Sequence, residues 1–312
     1  MVKGKKIGII GAGNVGATIA YTLTILGVAS EIVLIDINEE KAKGEAMDII
    51  QGTALCGPVS IYAGDYSCLK HADIVVMTLG AARKPGQTRI DLAQGNVNII
   101  KSIIPKVTEY ASDAIYVIVS NPVDIITYAI TKISGLPQCR VIGSGTILDT
   151  SRLRQIAAES MGLAPSSVHA YVFGEHGDTA VIPWSLASIA GMPAHAYCAH
   201  TGHDPLALSS IESDVRTSGA KVIGMKGATY YAIAISAARI CESILRDTHS
   251  ILTLSTLLHG QYGIDDVCLS LPCEISVKGI EQVIAPPLTP EETAKLRDSA
   301  DTLKEIIRSL HI

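Results

Sequence analysis

Six short runs of branched apolar residues, at 6–10, 31–35, 59–63, 73–79, 114–120 and 140–144, punctuate the first 145 positions of this chain. Each run is continuously apolar rather than alternating, the pattern required of a strand buried on both faces of a parallel sheet. Helical sequence lies between them, over 15–26 and 92–110 in particular. Strands alternating with helices predict right-handed βαβ crossovers and a doubly wound α/β sheet. Beyond residue 148 the rhythm changes. The sequence predicts a helix over 151–161, strand-like runs at 168–173 and near Trp184, helices over 208–223 and 228–246, and a strand region over 267–284. The last helix is announced by Thr289 as N-cap, Pro290 at the first position and Glu292 three residues after the cap. The expected division is 1–145 for a first domain and 146–312 for a second, mixed α+β domain packed on it.

Composition narrows the partners. Lys plus Arg number 25 against 30 Asp plus Glu, a net charge of −5, which offers no electrostatic footprint for nucleic acid or an anionic membrane. One Trp and one Phe leave few stacking platforms for single strands. No window of 18 or more apolar residues is present, and the basic start MVKGKK is followed by no sustained apolar region. The cysteines, seven in number and without a C-x-x-C pair, read as thiols of a reducing compartment. The expectation is a cytoplasmic enzyme acting on a small molecule.

The segment 11–16 (GAGNVG) sits directly after the first run and directly before a helix. In that context Gly11 permits the tight turn, Gly13 lets backbone approach a pyrophosphate, and Gly16 lets helix pack on strand. The helix N-terminus adds unpaired N–H groups for phosphate. Asp36 ends the second run twenty residues after Gly16, placed to accept from a ribose 2′-hydroxyl and to repel a 2′-phosphate, which favours NAD over NADP. The plainer alternative for Asp36 is a cap on the helix that begins near Asn38. Glycines, run and acid together make the first domain a Rossmann NAD-binding domain.

Three further segments carry polar residues that folding alone does not call for. They are 80–89 (GAARKPGQTR), with a Pro-Gly pair suited to a hinge; 147–154 (ILDTSRLR), entering a helix; and 173–178 (FGEHGD), where glycines flank a histidine. Hydride transfer to a ketone develops negative charge on oxygen and needs a proton donor that titrates near neutrality, which suits His176. A carboxylate partner such as Asp149 would raise the imidazole pKa and fix its tautomer. Arg152, three residues from Asp149, lies on the same helix face and can fork onto a substrate carboxylate. A second arginine on a closing loop could polarise the carbonyl.

At these residues the chain resembles the lactate and malate dehydrogenase family, over essentially its whole length. The matching segments are 11–16, 120–124 (SNPVD), 143–152 (GSGTILDTSR), 174–178 (GEHGD), 226–231 (KGATYY) and 269–272 (LSLP). The resemblance implies His176 as proton donor and acceptor, Asp149 as its partner, Arg152 as carboxylate clamp and Arg89 as the loop arginine that polarises the carbonyl. It implies Asn121, Asp124 and Thr229 as further substrate contacts, with Arg83 on the loop. Val15, Asp36, Lys41, Tyr66, Gly80, Ala81, Ser102, Val119, Asn121 and Ser144 match positions that line the NAD site, beside Gly11, Gly13 and Gly16.

Arg83 stands where lactate enzymes of the family usually carry glutamine and malate enzymes carry arginine for a second carboxylate. Glu175, the GSGT of 143–146 and Thr229 look lactate-like. The expected reaction is therefore reduction of pyruvate to L-lactate, with malate dehydrogenase as the alternative. Arg154 and His169 match positions where bacterial lactate enzymes bind fructose 1,6-bisphosphate between subunits, which implies an allosteric homotetramer. His195, Cys198, His200 and His203 fall within nine positions, but their spacing does not match a zinc site; the segment reads as a surface turn and no metal is expected. An NAD- and metal-dependent glycosidase would need a ligand set that the GEHGD motif does not supply. A non-catalytic NAD-binding protein would have no use for His176, Asp149, Arg152 and Arg89 together.

Overall fold

The computed structural model of the chain describes residues 4–80, 89–203 and 207–312. In its first half β1 (Lys6–Ile10), α1 (Asn14–Leu26), β2 (Glu31–Ile35), α2 (Glu39–Gln51), β3 (Ser60–Ala63), β4 (Ile74–Met77), α3 (Arg89–Ala111), β5 (Ile115–Ile118), α4 (Val123–Ile133) and β6 (Val141–Gly143) follow one another. The strands lie in the order β3-β2-β1-β4-β5-β6, all parallel. Each apolar run serves two cores, because successive side chains point to opposite faces. Ile7, Ile9, Ile32, Leu34, Ile74 and Val76 join Ile19 and Leu23 of α1. Val33, Ile35, Val75, Met77 and Ile118 join Val97 and Ile100 of α3 and Ile126 of α4. Double-sided burial explains why these runs were continuous in the sequence.

The second half contains α5 (Ile147–Ser160), β7 (Val168–His169), β8 (Ser188–Ile189), β9 (Met192–Pro193), α6 (Ala194–Thr201), α7 (Ala207–Lys226), α8 (Tyr231–Leu245), β10 (Ser250–Gln261), β11 (Ile264–Ser276), β12 (Gly279–Val283) and α9 (Pro290–Ser309). Several expectations change here. Residues 250–261, unassigned from sequence, form a long strand that pairs antiparallel with β6 through Ser255 and Gly143. The region 267–284 is accordingly two strands of a meander, and the sheet grows to nine strands, β12-β11-β10-β6-β5-β4-β1-β2-β3. The run 168–173 keeps only two strand residues and a bridge from Phe173 to Val181, and Trp184 begins a 3-10 turn. Residues 194–201, read as a surface turn, are helix α6, with Cys198 buried against Met161 rather than turned outward with the histidines. The expected cap of α9 is present: Thr289 accepts from the Glu292 N–H, and Glu292 accepts from the Thr289 N–H.

The two halves interlock. α8 packs Ala234, Ala237 and Ile240 into the same core as α1, and α9 contributes Leu296, Ala300 and Leu303 to the core on the other face. β10 can approach β6 closely because positions 143 and 145 are glycine: a Cβ on Gly143 would stand 2.8 Å from the Ser255 Cβ, and one on Gly145 2.6 Å from the Ser255 nitrogen. That approach sets β10 beside the carboxyl end of β6, at the edge where ligands of such sheets bind.

Candidate functional site

The glycine segment turns as its sequence requires. Gly11 has φ +103°, and a Cβ on Gly16 would meet the Gly11 carbonyl oxygen at 1.8 Å, so only glycine lets α1 start this close to β1. Thr78, not foreseen from sequence, ties the turn down by donating its hydroxyl to the Gly11 carbonyl at 2.8 Å. Among the described residues nothing lies within 4 Å of the point a Cβ of Gly13 would occupy, no side chain caps α1, and its first turn holds no acid. Val15 lies in that turn, partly buried. The first N–H groups of the helix are thus left for an anion beside open space, as a dinucleotide pyrophosphate needs.

Asp36 is not the cap of α2. Asn38 takes that part, accepting from the Lys41 N–H at 3.1 Å. Asp36 instead accepts from the Ala12 N–H at 2.7 Å and the Asn38 N–H at 2.9 Å, which holds its carboxylate at the lip of the glycine turn. Tyr66 closes the same corner; burial, and then the charge of Asp36, raise its phenol above the usual value. Lys41 is exposed on the first turn of α2. Gly80 follows β4 at φ +145° and would meet Asn96 of α3 if it had a Cβ. Asn96 in turn donates to the Asn121 carbonyl at 2.7 Å. Val119 and Ser144 are buried at the ends of β5 and β6, and the Ser144 N–H donates to the Ile118 carbonyl. These residues line one edge of the sheet and fit NAD. Ser102 is exposed farther along α3, its hydroxyl spent on the Ile99 carbonyl. Ala81 and Arg83 lie outside the described residues, and Arg89 opens α3.

The second cluster joins α5 to the loop that carries the histidine. Asp149, in the first turn of α5, meets His176 Nδ1 through one oxygen at 2.5 Å and Arg152 through the other at 3.0 Å. The three side chains are 11%, 25% and 18% exposed, so water reaches the histidine most readily. With Nδ1 engaged, Nε2 is the nitrogen left for a ligand. Burial pulls the His176 pKa down, but the Asp149 charge and hydrogen bond, with Asp124 behind, hold it above the usual imidazole value. Burial raises the Asp149 carboxyl, and His176 with Arg152 more than reverse that. The pair therefore favours carboxylate and imidazolium. Gly219 of α7 faces the Arg152 guanidinium, where a Cβ would stand 3.5 Å away. Thr229 sits half-buried between α7 and α8.

The histidine loop is held from below. Gly174 exchanges main-chain bonds with Ser270 of β11, and the Glu175 N–H donates to Ser299 of α9 at 2.9 Å. Glu175 itself turns inward and accepts from the Thr179 hydroxyl. Asp124, expected among the substrate contacts, is 2% exposed beneath this loop. One of its oxygens accepts from the His176 N–H at 2.8 Å and the other from the Ser255 hydroxyl at 2.6 Å.

An open glycine turn with Asp36 at its lip fits a dinucleotide, and a carboxylate–histidine–arginine cluster stands apart from it on α5 and the histidine loop. The sequence profiles of known families match in register with that arrangement. The profile described as "lactate/malate dehydrogenase, NAD binding domain" covers residues 5–143, and that of the "alpha/beta C-terminal domain" covers 146–311. The chain belongs to the lactate/malate dehydrogenase family. It is similar to the L-lactate dehydrogenase of Acetivibrio thermocellus, 49% identical over 310 residues that span 99% of this chain and 98% of that protein. L-lactate dehydrogenase 1 of Clostridium acetobutylicum is 48% identical over 99% of this chain and all of its own length (100%). Among solved structures, the minor L-lactate dehydrogenase of Enterococcus mundtii in its ligands-bound form superposes with a TM-score of 0.96, at 39% identity and 99% coverage of both chains.

Membership of this family makes the chain an NAD-dependent 2-hydroxy acid dehydrogenase. Away from the main site, Arg154 donates to the Ala170 carbonyl at 3.0 Å and lies over the Tyr171 ring, while His169 is exposed in β7 one residue before Ala170. His203 bonds Thr201 and stacks on Tyr197. Among the described residues no group of three or more His, Cys, Asp or Glu side chains is arranged to hold a metal ion, and no helix is long and apolar enough to cross a membrane.

Proposed function

We propose that the enzyme interconverts pyruvate and L-lactate, with His176 carrying the proton and Asp149 holding it in place. The 2.5 Å contact between Asp149 and His176 Nδ1 is the observation that carries this reading, because it supports a protonated imidazole whose Nε2 is available to a carbonyl oxygen. NADH, held by the glycine turn and Asp36, would supply the hydride for the carbonyl carbon of pyruvate. His176 donates its Nε2 proton to the oxygen that gains charge, and the imidazole regains a proton from solvent before the next turnover. Arg152 binds the substrate carboxylate through its fork, held ready by Asp149. Arg89 polarises the carbonyl, and Asn121 and Thr229 wall the pocket. In lactate oxidation the same histidine, neutral, accepts the hydroxyl proton. Residues 1–145 carry the cofactor, through Gly11, Gly13, Val15, Gly16, Asp36, Lys41, Tyr66, Gly80, Ala81, Ser102, Val119, Asn121 and Ser144, and residues 146–312 carry the acid–base pair.

That relatives at 48–49% identity are named L-lactate dehydrogenases supports pyruvate rather than oxaloacetate as the substrate of this enzyme, Arg83 notwithstanding. Purified enzyme with NADH is expected to give a higher kcat/KM on pyruvate than on oxaloacetate, and the reverse order overturns the lactate reading. Arg83→Gln should weaken oxaloacetate selectively. A homotetramer is supported by exposed apolar residues on neighbouring helices, Tyr21 and Ile25 of α1, Met47 of α2, and Tyr231 and Ile235 of α8. Arg154 and His169 would bind fructose 1,6-bisphosphate at a subunit boundary; an apparent pyruvate affinity unchanged by this effector counts against that part. Seven cysteines, none of them in a disulfide among the described residues, suit the cytoplasm.

A further inference from the structure

We propose that Asp124 is a positioning residue for His176: its buried carboxylate, braced by Ser255, clamps the histidine main chain and sets a second negative charge behind the imidazole. The inference rests on the reading of His176 as proton carrier and extends it to a residue that no substrate atom need touch.

A substrate with a carboxylate gives Asp124 no reason to face it, since two like charges would meet. The geometry points inward instead. Both oxygens are engaged, one by the His176 N–H at 2.8 Å and the other by the Ser255 hydroxyl at 2.6 Å. These contacts join α4 to a loop 52 positions away and to a strand 131 positions away. The clamp acts on the backbone of the residue whose ring meets Asp149. It thereby fixes where the ring pivots, while Asp149 fixes how the ring turns. His176 then lies between two carboxylates of different kind, one on Nδ1 and one under its main chain.

The charged and titratable groups that face His176 and Asp124 come from several elements. α5 supplies Asp149, which favours the imidazolium, and Arg152, which opposes it. α4 supplies Asp124, which favours it. The loop itself supplies Glu175, whose charge bears on Asp124. β11 supplies the Cys268 thiol, which burial and the Asp124 charge keep protonated. Burial pushes the Asp124 carboxyl up to about 6, against the Ser255 and His176 hydrogen bonds, so the group is mostly ionised at neutral pH and its charge is in place when the enzyme works.

The test is Asp124→Asn, with the His176 imidazole titrated by NMR in the intact enzyme. The amide keeps both contacts, its carbonyl accepting from the His176 N–H and its NH2 donating to Ser255 Oγ, so that charge alone is removed. The His176 midpoint is expected to fall by about half to one unit. The alkaline limb of kcat/KM for pyruvate should fall with it, a roughly three- to tenfold loss above that limb. If the variant does not fold, Ser255→Ala decides: with one donor gone, Asp124 takes up its proton at higher pH and the His176 midpoint should move down in part. A His176 midpoint unmoved in the variant that is read overturns the proposal, even if activity drops, because a purely structural role would cost rate without moving the titration. A midpoint that falls while the pyruvate profile stays still supports the coupling and refutes His176 as the proton carrier.

Discussion

The same substitution makes a prediction about stability that runs opposite to its effect on activity. In the folded chain the Asp124 carboxyl titrates at about 6 instead of 3.8, because burial outweighs its two hydrogen bonds. A carboxyl raised on folding contributes most below its unfolded value. The contribution declines as the pH climbs and is gone above the folded value. The native protein therefore carries a penalty that is absent below pH 3.8, grows between there and about 6, and is complete at neutral pH. A shift of about two units corresponds to about 3 kcal/mol. Asp124→Asn keeps the contacts and the volume but has no charge to bury, so it should recover most of that amount above pH 6 and little near pH 4. For a chain of this size the gain is roughly 3–5 °C in Tm. Thermal unfolding of wild type and variant, followed from pH 4 to pH 8, should give curves that converge at the acid end and separate through pH 6. A Tm difference independent of pH, or a variant less stable at pH 8 than at pH 4 relative to wild type, would refute the reasoning. A variant more stable and less active would mark Asp124 as a site where stability is given up for function.

Asp149→Asn should lower kcat/KM for pyruvate roughly 10²–10³-fold, and its remaining activity should fail at lower pH. His176 is held above its usual value chiefly by that carboxylate, so wild-type activity should decline only as pH rises past the raised value; a wild-type alkaline limb below 6.5 contradicts the assignment. Arg152→Lys replaces a fork with a point charge and loses one charged hydrogen bond of about 1.5–3 kcal/mol, raising the pyruvate KM roughly 10–100-fold. Steady-state kinetics with an unchanged KM would remove the clamp. Gly16→Ala sets a Cβ 1.8 Å from the Gly11 oxygen, so NADH affinity and Tm should both fall. Fluorescence titration showing native NADH affinity would mean the turn is not the pyrophosphate seat.

The parallel half of the fold was legible because strands buried on both faces carry a continuous apolar signature. Where the reading overran, polar contacts explain it. The run 73–79 shrinks to Ile74–Met77 because Asp73 accepts from the Lys6 N–H at one end and Thr78 turns back to Gly11 at the other. β10 escaped because its buried leucines are interrupted by buried hydroxyls. Thr253 bonds Thr150 of α5, and Ser255 bonds Asp124, so hydroxyls occupy positions where hydrophobic periodicity would have revealed the strand. The site divides the same way. His176, Asp149 and Arg152 were visible because their chemistry is tied to local spacing or to a short motif. Asp124 was marked by its motif only as a substrate contact; its inward contacts, like those of Ser255, Ser299 and Thr78, form only when distant segments meet, and nothing in a serine or threonine on its own marks it for that work.

Those contacts also explain why the histidine needs both halves of the chain. Its loop is fastened by Asp124 from α4, Asp149 from α5, Ser270 from β11 and Ser299 from α9, and Asp124 is itself braced by β10. Buried polar networks of this kind are stabilising only when every member has a partner, since an orphaned group costs about 1–3 kcal/mol. Among the described residues Ser243 Oγ is the one buried side-chain nitrogen or oxygen without one, and it lies on α8, away from the network. A fully satisfied cluster has few alternative arrangements of similar energy, so it holds the imidazole in one place. It also makes the loss of partners non-additive. Once Ser255 is gone, removing the Asp124 charge should lower the His176 midpoint less than it does in the native protein, because the carboxylate has already lost part of what keeps it ionised. The rigidity of His176 is in this sense a property of the β6–β10 junction, which exists only because Gly143 and Gly145 let a strand of the second half lie against a strand of the first.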